Sequence, residues 1–211
     1  MSPDPASASP HLRTKLDLYD ILLRKWQKTI NLVSPATLND LEARHFTDSL
    51  QLADLIPPTA KRLYDIGSGA GFPGLVLAMA RPDLLVTLIE SDQRKCVFLQ
   101  TVSRETGTPV KVENSRIEHL TLPAPDVITA RALADLTTLL EMTQGWWTSW
   151  PDCTLIFPKG ANADEEVFAA RTRFQFDLKT VPSQTNPAAK ILVLTQVRAS
   201  DKISEKPSQK V

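Results

Sequence analysis

The chain has 211 residues, of which 42% are hydrophobic and 23% charged, a balance that builds a packed core and excludes wholesale disorder. Its 24 basic and 24 acidic side chains cancel, which excludes a histone-like protein that holds nucleic acid by bulk charge but leaves room for a local basic face. Two distant cysteines, Cys96 and Cys153, and three lone histidines make neither a disulfide framework nor a metal site, and no run reaches the roughly 20 apolar residues of a membrane span.

Residues 1–10 are small, polar and proline-rich, without the basic-then-apolar pattern of a signal peptide, so they read as a disordered arm on a cytoplasmic protein. From His11 to Leu32, apolar residues recur at helical spacing (Leu12, Leu16, Tyr19, Leu23, Trp26, Ile30), which predicts an amphipathic helix. Trp26 at that spacing reads as core. A second helical stretch runs from Thr37 to Ile56 and stops at Pro57-Pro58. Residues 11–58 thus form a helical extension. It is followed by a domain over 59–198 and a polar tail, 199–211.

In that domain strands and helices alternate. Strands are expected at Leu63–Ile66, Leu84–Glu90, Val110–Val112, Asp126–Ala130 and Cys153–Phe157. Helices are expected at Gly74–Arg81, Gln93–Thr106, Ala134–Gln144 and Asn162–Ala170. Phe174–Val181 and Ile191–Arg198 lack a helix between them, so they read as an antiparallel pair at the sheet edge. The pattern is α/β: a doubly wound, mostly parallel sheet of Rossmann-like type.

The first strand runs into Asp65-Ile66-Gly67-Ser68-Gly69-Ala70-Gly71, at the strand end where such a sheet binds its ligand. A nicotinamide dinucleotide normally requires Gly-x-Gly-x-x-Gly, and the third position of that pattern here is Phe72. The spacing of Asp65, Gly67, Gly69 and Gly71 instead resembles the loop of class I S-adenosylmethionine-dependent methyltransferases. In that resemblance Asp65 can orient the ammonium group of the ligand, directly or through water. Glu90, ending the second strand, can take both hydroxyls of a ribose, which fits either cofactor class equally. Ile117 and Glu118 can border an adenine, although Ser115 and Glu118 equally suit a helix cap. Arg131, after the fourth strand, suits a phosphate, a cofactor or a surface ion pair.

Several separated motifs resemble the RsmG (GidB) family, the guanine-N7 methyltransferases of bacterial 16S ribosomal RNA. They are Lys25 to Ser34, Arg44-His45-Phe46-Thr47-Asp48-Ser49, Asp65 to Gly74 with its Phe-Pro-Gly ending, Asn114 to Glu118, Thr129-Ala130-Arg131-Ala132 and Lys159-Gly160. Gln27 stands where the family has Asn, and Pro158 where an aliphatic residue is usual. The resemblance implies S-adenosylmethionine as cofactor, with contacts at Gly67, Phe72, Ile117, Glu118 and Arg131. It implies methylation of the guanine at position 527 near the decoding centre, on 16S rRNA or a small-subunit ribosomal particle. The chain is expected to act as a monomer, without metal or membrane contact.

Guanine N7 carries a lone pair and no proton, so no general base is named. Arg131 and Lys159 are the candidates for organising the reaction, and Arg44 and His45 for holding RNA. Arg13, Lys15, Arg24, Lys25 and Lys28 read mostly as solvated helix faces. Three alternatives stay in view. A methyltransferase for another RNA or a small molecule would share the loop. A dinucleotide oxidoreductase is opposed by Phe72, and a non-enzymatic module by the intact glycine loop with Glu90.

Overall fold

The computed structural model describes residues 9–200, and residues 1–8 and 201–211 lie outside it. Most of the expected arm and tail therefore falls outside the described residues. Ser9 and Pro10 do not belong to an arm. Ser9 caps helix α1 (Pro10–Gln27) by accepting from the Leu12 amide, and Pro10 occupies its first turn.

Helix α1 ends five residues before the expected Leu32. The cause is Gln27. Its Oε1 accepts from the amides of Leu32 and Val33 at 2.9 and 3.0 Å, and its Nε2 donates to the Val33 carbonyl at 2.9 Å. This one side chain satisfies the backbone of the turn, so the helix has no need to continue.

The expected second helix is also broken up. A 3-10 segment covers Pro35–Asp40, a π-helical turn Glu42–Thr47, a single α turn (α2) Asp48–Leu50, and a further 3-10 turn Ala53–Leu55. Thr47 Oγ1 donates to the carbonyl of Glu42, five residues back, at 3.0 Å. The widened turn rotates Arg44, His45 and Asp48 toward the end of the sheet, a use such turns often have.

Among the described residues the sheet has seven strands in the order β3-β2-β1-β4-β5-β7-β6. Strands β1 (Arg62–Ile66), β2 (Leu85–Glu90), β3 (Lys111–Asn114), β4 (Val127–Thr129) and β5 (Thr154–Lys159) are parallel. β7 (Lys190–Ala199) enters antiparallel between β5 and β6 (Phe174–Pro182). The crossovers are α3 (Gly74–Ala80), α4 (Gln93–Glu105), α5 (Leu136–Met142) with α6 (Gln144–Ser149), and α7 (Ala163–Arg171). Helix α6 is absent from the sequence reading. Trp146 and Trp147 bury it against the sheet, and the Trp147 indole donates to the Leu140 carbonyl at 2.9 Å.

Each face of the sheet has its own core. On one, Leu63, Leu75, Leu88 and Phe98 pack with Leu16, Tyr19, Leu23, Phe46 and Leu50 of the extension. The extension therefore shares the core of the sheet rather than forming a unit of its own. On the other face, Ile128, Leu139, Leu155, Phe157 and Leu192 pack with α5, α6 and α7. Both layers stop at the C-terminal ends of β1, β2 and β4, where backbone turns open a cleft.

Candidate active site

The cleft has a volume of about 670 Å³ and lies over the loop after β1. Gly67, Gly69 and Gly71 all have left-handed backbones, with φ of +64°, +55° and +95°. The three glycines have different jobs. Gly67 and Gly69 form the cleft wall. A Cβ on Gly67 would lie 2.7 Å from a methyl of Leu133, which covers it from the loop after β4. Gly71 lies behind the wall, where a Cβ would meet the Tyr19 hydroxyl at 2.5 Å.

Asp65 is also behind the wall. Its carboxylate is fully buried, accepting from Thr129 Oγ1 at 2.9 Å and from the Gly74 amide at 3.2 Å. Burial pushes its pKa up to about 6, against the hydrogen bonds that favour the anion. The structure therefore gives Asp65 the job of fastening the loop. It sets the carboxylate behind the cleft wall, so of the two expected routes to an ammonium group the direct one is closed and the one through water remains. The cause is Gly74, whose missing side chain lets α3 close onto Asp65; a Cβ there would lie 2.5 Å from that of Asp65.

Glu90 does face the cleft. Its carboxylate accepts from the amides of Gly69 and Asp92, both at 2.8 Å, which couples the glycine loop to the start of α4. Ionised, it keeps lone pairs for further donors. Ile117 and Glu118 line the same end, with Ser91, Lys95, Ser115 and Arg116. The short 3-10 turn Ile117–His119 has no side-chain cap, and Ser115 Oγ turns instead to the Arg116 carbonyl, so the helix-cap reading is not realised.

Phe72 closes the other end. It is 4% exposed and sits between two rings, stacked on Tyr19 at 5.3 Å and on His45 at 4.9 Å. The Arg131 guanidinium lies 5.0 Å from its ring centre. Tyr19, on α1, also donates its hydroxyl to the Ala70 carbonyl in the glycine loop.

Arg131 is held from several sides. Nη1 pairs with Asp48 Oδ2 at 3.1 Å and reaches the Arg44 carbonyl at 3.3 Å; Nη2 lies 2.8 Å from His45 Nδ1. Asp48 in turn accepts, on Oδ1, from Gln51 at 2.8 Å and from Thr185 at 2.7 Å. Burial, and next the Arg131 charge, lower the His45 pKa to about 4.

A second cavity of about 290 Å³ shares Arg44, Asp48, Arg131 and Ala132 with the first. Ala132 takes a left-handed φ of +53°, uncommon for a residue with a side chain. The cavity continues along Lys159, Gly160 and the β6–β7 connection. Lys159 is buried, donating to the Ala134 carbonyl at 2.6 Å and pairing with Glu166 at 2.8 Å.

The structure thus brings Gly67, Gly69, Phe72, Glu90, Ile117, Glu118, Arg131, Arg44 and His45 to one cleft. Lys159 stands in the adjoining cavity. Sequence reading missed Asp48, Leu133 and Lys95. Asp48 lay in a quoted motif, and that was its only signal. Among the described residues no group of His, Cys, Asp and Glu is arranged to hold a metal, and no helix is long and apolar enough to cross a membrane.

Solved structures share this architecture. A ribosomal protein L11 methylase from Lactobacillus delbrueckii subsp. bulgaricus superposes with a TM-score of 0.57 at 14% identity, covering 72% of this chain and 78% of its own. A magnesium protoporphyrin IX methyltransferase from Synechocystis with bound S-adenosylmethionine gives 0.55 at 13% identity, covering 90% and 99%. The sheet order, the glycine loop and Glu90 together define a class I S-adenosylmethionine-dependent methyltransferase.

Over residues 12–192 the sequence matches the family described as rRNA small subunit methyltransferase G. The protein of that name from Paramagnetospirillum magneticum is 49% identical over 184 residues, covering 87% of this chain and 88% of its own. The one from Rhodospirillum centenum is 45% identical, covering 87% and 83%. The chain belongs to the ribosomal RNA small subunit methyltransferase G family.

Proposed function

We propose that this chain methylates N7 of a guanine in 16S rRNA, the one at position 527, as a monomer in the cytoplasm. One observation carries the choice of atom. The groups beside Arg131 that can accept a proton are already engaged. His45 has both ring nitrogens occupied, by Arg131 and by Thr37 Oγ1 at 2.9 Å, and Asp48 receives Arg131, Gln51 and Thr185. Guanine N7 attacks without losing a proton, so it needs no free base; an amino group or hydroxyl would need one.

The residues fit the cofactor. Glu90 would receive the ribose hydroxyls, Ile117 and Glu118 would border the adenine, and the cradle of Gly67 and Gly69 admits the methionine part without a Cβ in the way. When bound, S-adenosylmethionine supplies an electrophilic methyl group on a sulfonium. The work of the chain is positional and electrostatic. Arg131, fixed by Asp48 and His45 at the wall between the two cavities, orients the nucleotide. Lys159 holds the loop after β4 through the Ala134 carbonyl. Arg44 and His45 form the RNA side of the cleft.

The test is deletion of the gene followed by mapping of 7-methylguanosine in 16S rRNA. Loss of the mark at 527 is expected, and an unchanged pattern refutes the reading. Methylation of naked 16S rRNA against a small-subunit particle then identifies the substrate form.

A further inference from the structure

Around the cleft most cations have anionic partners: Arg131 has Asp48, Lys159 has Glu166, Lys190 has Asp164 and Arg94 has Asp92. Arg44, Lys95 and Arg116 have no ion pair among the described residues, and all three line the cofactor cleft. Arg44 lies beside the loop after β4. Lys95 is in the first turn of α4, directly after β2, and Arg116 follows β3. In the sheet order β3 and β4 stand three strand spacings apart, about 14 Å. The unpaired cations therefore flank both ends of the cleft, with the glycine loop between them.

Lys95 and Arg116 sit at the end lined by Glu90, Ser91, Ser115, Ile117 and Glu118. That is the end assigned to adenosine, the part of the cofactor that carries no anionic group. The cofactor thus has no charge for these two side chains to answer. Two acids, Glu90 and Glu118, stand at the same end; Glu90 is held by the amides of Gly69 and Asp92, and Glu118 on the rim opposes an anion there. Phosphates of the substrate are the remaining anions; Arg44 and Arg116 are exposed and Lys95 is half-buried, so these cations can bind them at modest desolvation cost.

Resting on the rRNA reading above, we infer that the RNA strand crosses the mouth of the cofactor pocket and is gripped at phosphates by Lys95 and Arg116, opposite Arg44. The bound strand then covers the cofactor. Cofactor enters before RNA, and S-adenosylhomocysteine leaves after it.

The test compares wild type with Lys95→Ala, Arg116→Ala and the double variant K95E/R116E on unmodified small-subunit particles across a salt series. The expected result is a KM for the particle raised about tenfold or more in the double variant. The slope of log KM against log salt should fall by about one for each cation removed. S-adenosylhomocysteine affinity, measured by calorimetry without RNA, should stay within twofold. Its release from the enzyme–particle complex should be slower than from free enzyme. Unchanged KM and slope would overturn the grip. A parallel loss of S-adenosylhomocysteine affinity would reassign both cations to the cofactor, and equal release rates would overturn the covering strand. If the wild type fails to methylate the particle, the rRNA reading itself fails, a result separate from these.

Discussion

Arg131 donates to His45, and the reverse direction is chemically closed. A guanidinium has no acceptor, so Nδ1 of the imidazole must carry its lone pair toward Nη2 at 2.8 Å. The proton of neutral His45 therefore sits on Nε2 and points to Thr37 Oγ1. The ring acts as a spacer between Arg131 and the extension, packed flat on Phe72.

The first prediction concerns pH. Burial and the Arg131 charge depress the folded pKa of His45 to about 4, against 6.5 for a free imidazole. Because the folded pKa is lowered, the folded state binds fewer protons than the unfolded one between these values. His45 thus contributes stability above pH 6.5 that is lost as pH falls toward 4. NMR titration should show His45 neutral, as the Nε2–H tautomer, at pH 7. A midpoint above 6 would contradict the arrangement.

Asp48→Asn keeps the shape but removes the anion that faces Arg131. The pair is partly buried, and losing a charged hydrogen bond of this kind costs about 1–3 kcal/mol. Turnover should fall roughly tenfold, by about 1.4 kcal/mol of transition-state positioning, while S-adenosylhomocysteine affinity changes little. Steady-state kinetics with calorimetry check this; unchanged turnover would remove Asp48 from the site.

Tyr19→Phe deletes one hydroxyl from α1. The Ala70 carbonyl, buried in the glycine loop, loses its donor, at a cost of about 1–3 kcal/mol. The ring stack on Phe72 remains. The variant should melt at a lower temperature and bind S-adenosylhomocysteine about fivefold or more weakly, because the loop that lines the cleft is what loosens. Unchanged affinity would make the brace purely structural.

Gly71→Ala should be worse than the corresponding change at Gly69. At Gly71 the added methyl meets both a left-handed φ and the Tyr19 oxygen at 2.5 Å, while at Gly69 the closest atom is 3.8 Å away. Denaturant unfolding should show about 2 kcal/mol or more lost at Gly71. At Gly69 only the backbone strain should register.

The alternating pattern made the sheet legible, because buried parallel strands read as short apolar runs between helices. The cofactor end of the site was legible for the same reason: Gly67, Gly69 and Glu90 sit at strand ends, and strand ends are visible in sequence. The Arg44–Asp48 turn was not. Leu38, Leu41, Phe46 and Leu50 follow at steps of three, five and four residues; the single five-residue step, Leu41 to Phe46, is the trace of the π-turn, too slight by itself to be told from an ordinary irregularity in a helix. The turn decides that Asp48 faces Arg131, so the central ion pair stayed hidden. Asp65 was legible only in part. Its position before the glycines is that of a ligand contact, but the close approach of Gly74, nine residues on, determines where its carboxylate goes.

The place of β7 between β5 and β6 has a consequence for biosynthesis. Strand β6 is made before β7 yet touches the sheet only through it. While residues up to 182 are emerging, β5 keeps an open edge and β6 has no partner. The Thr185 contact that steadies Asp48 belongs to the same late segment. Translation must therefore run nearly to residue 199 before the sheet can close, so a chain cut between β6 and β7 would carry an open β5 edge and be prone to aggregate.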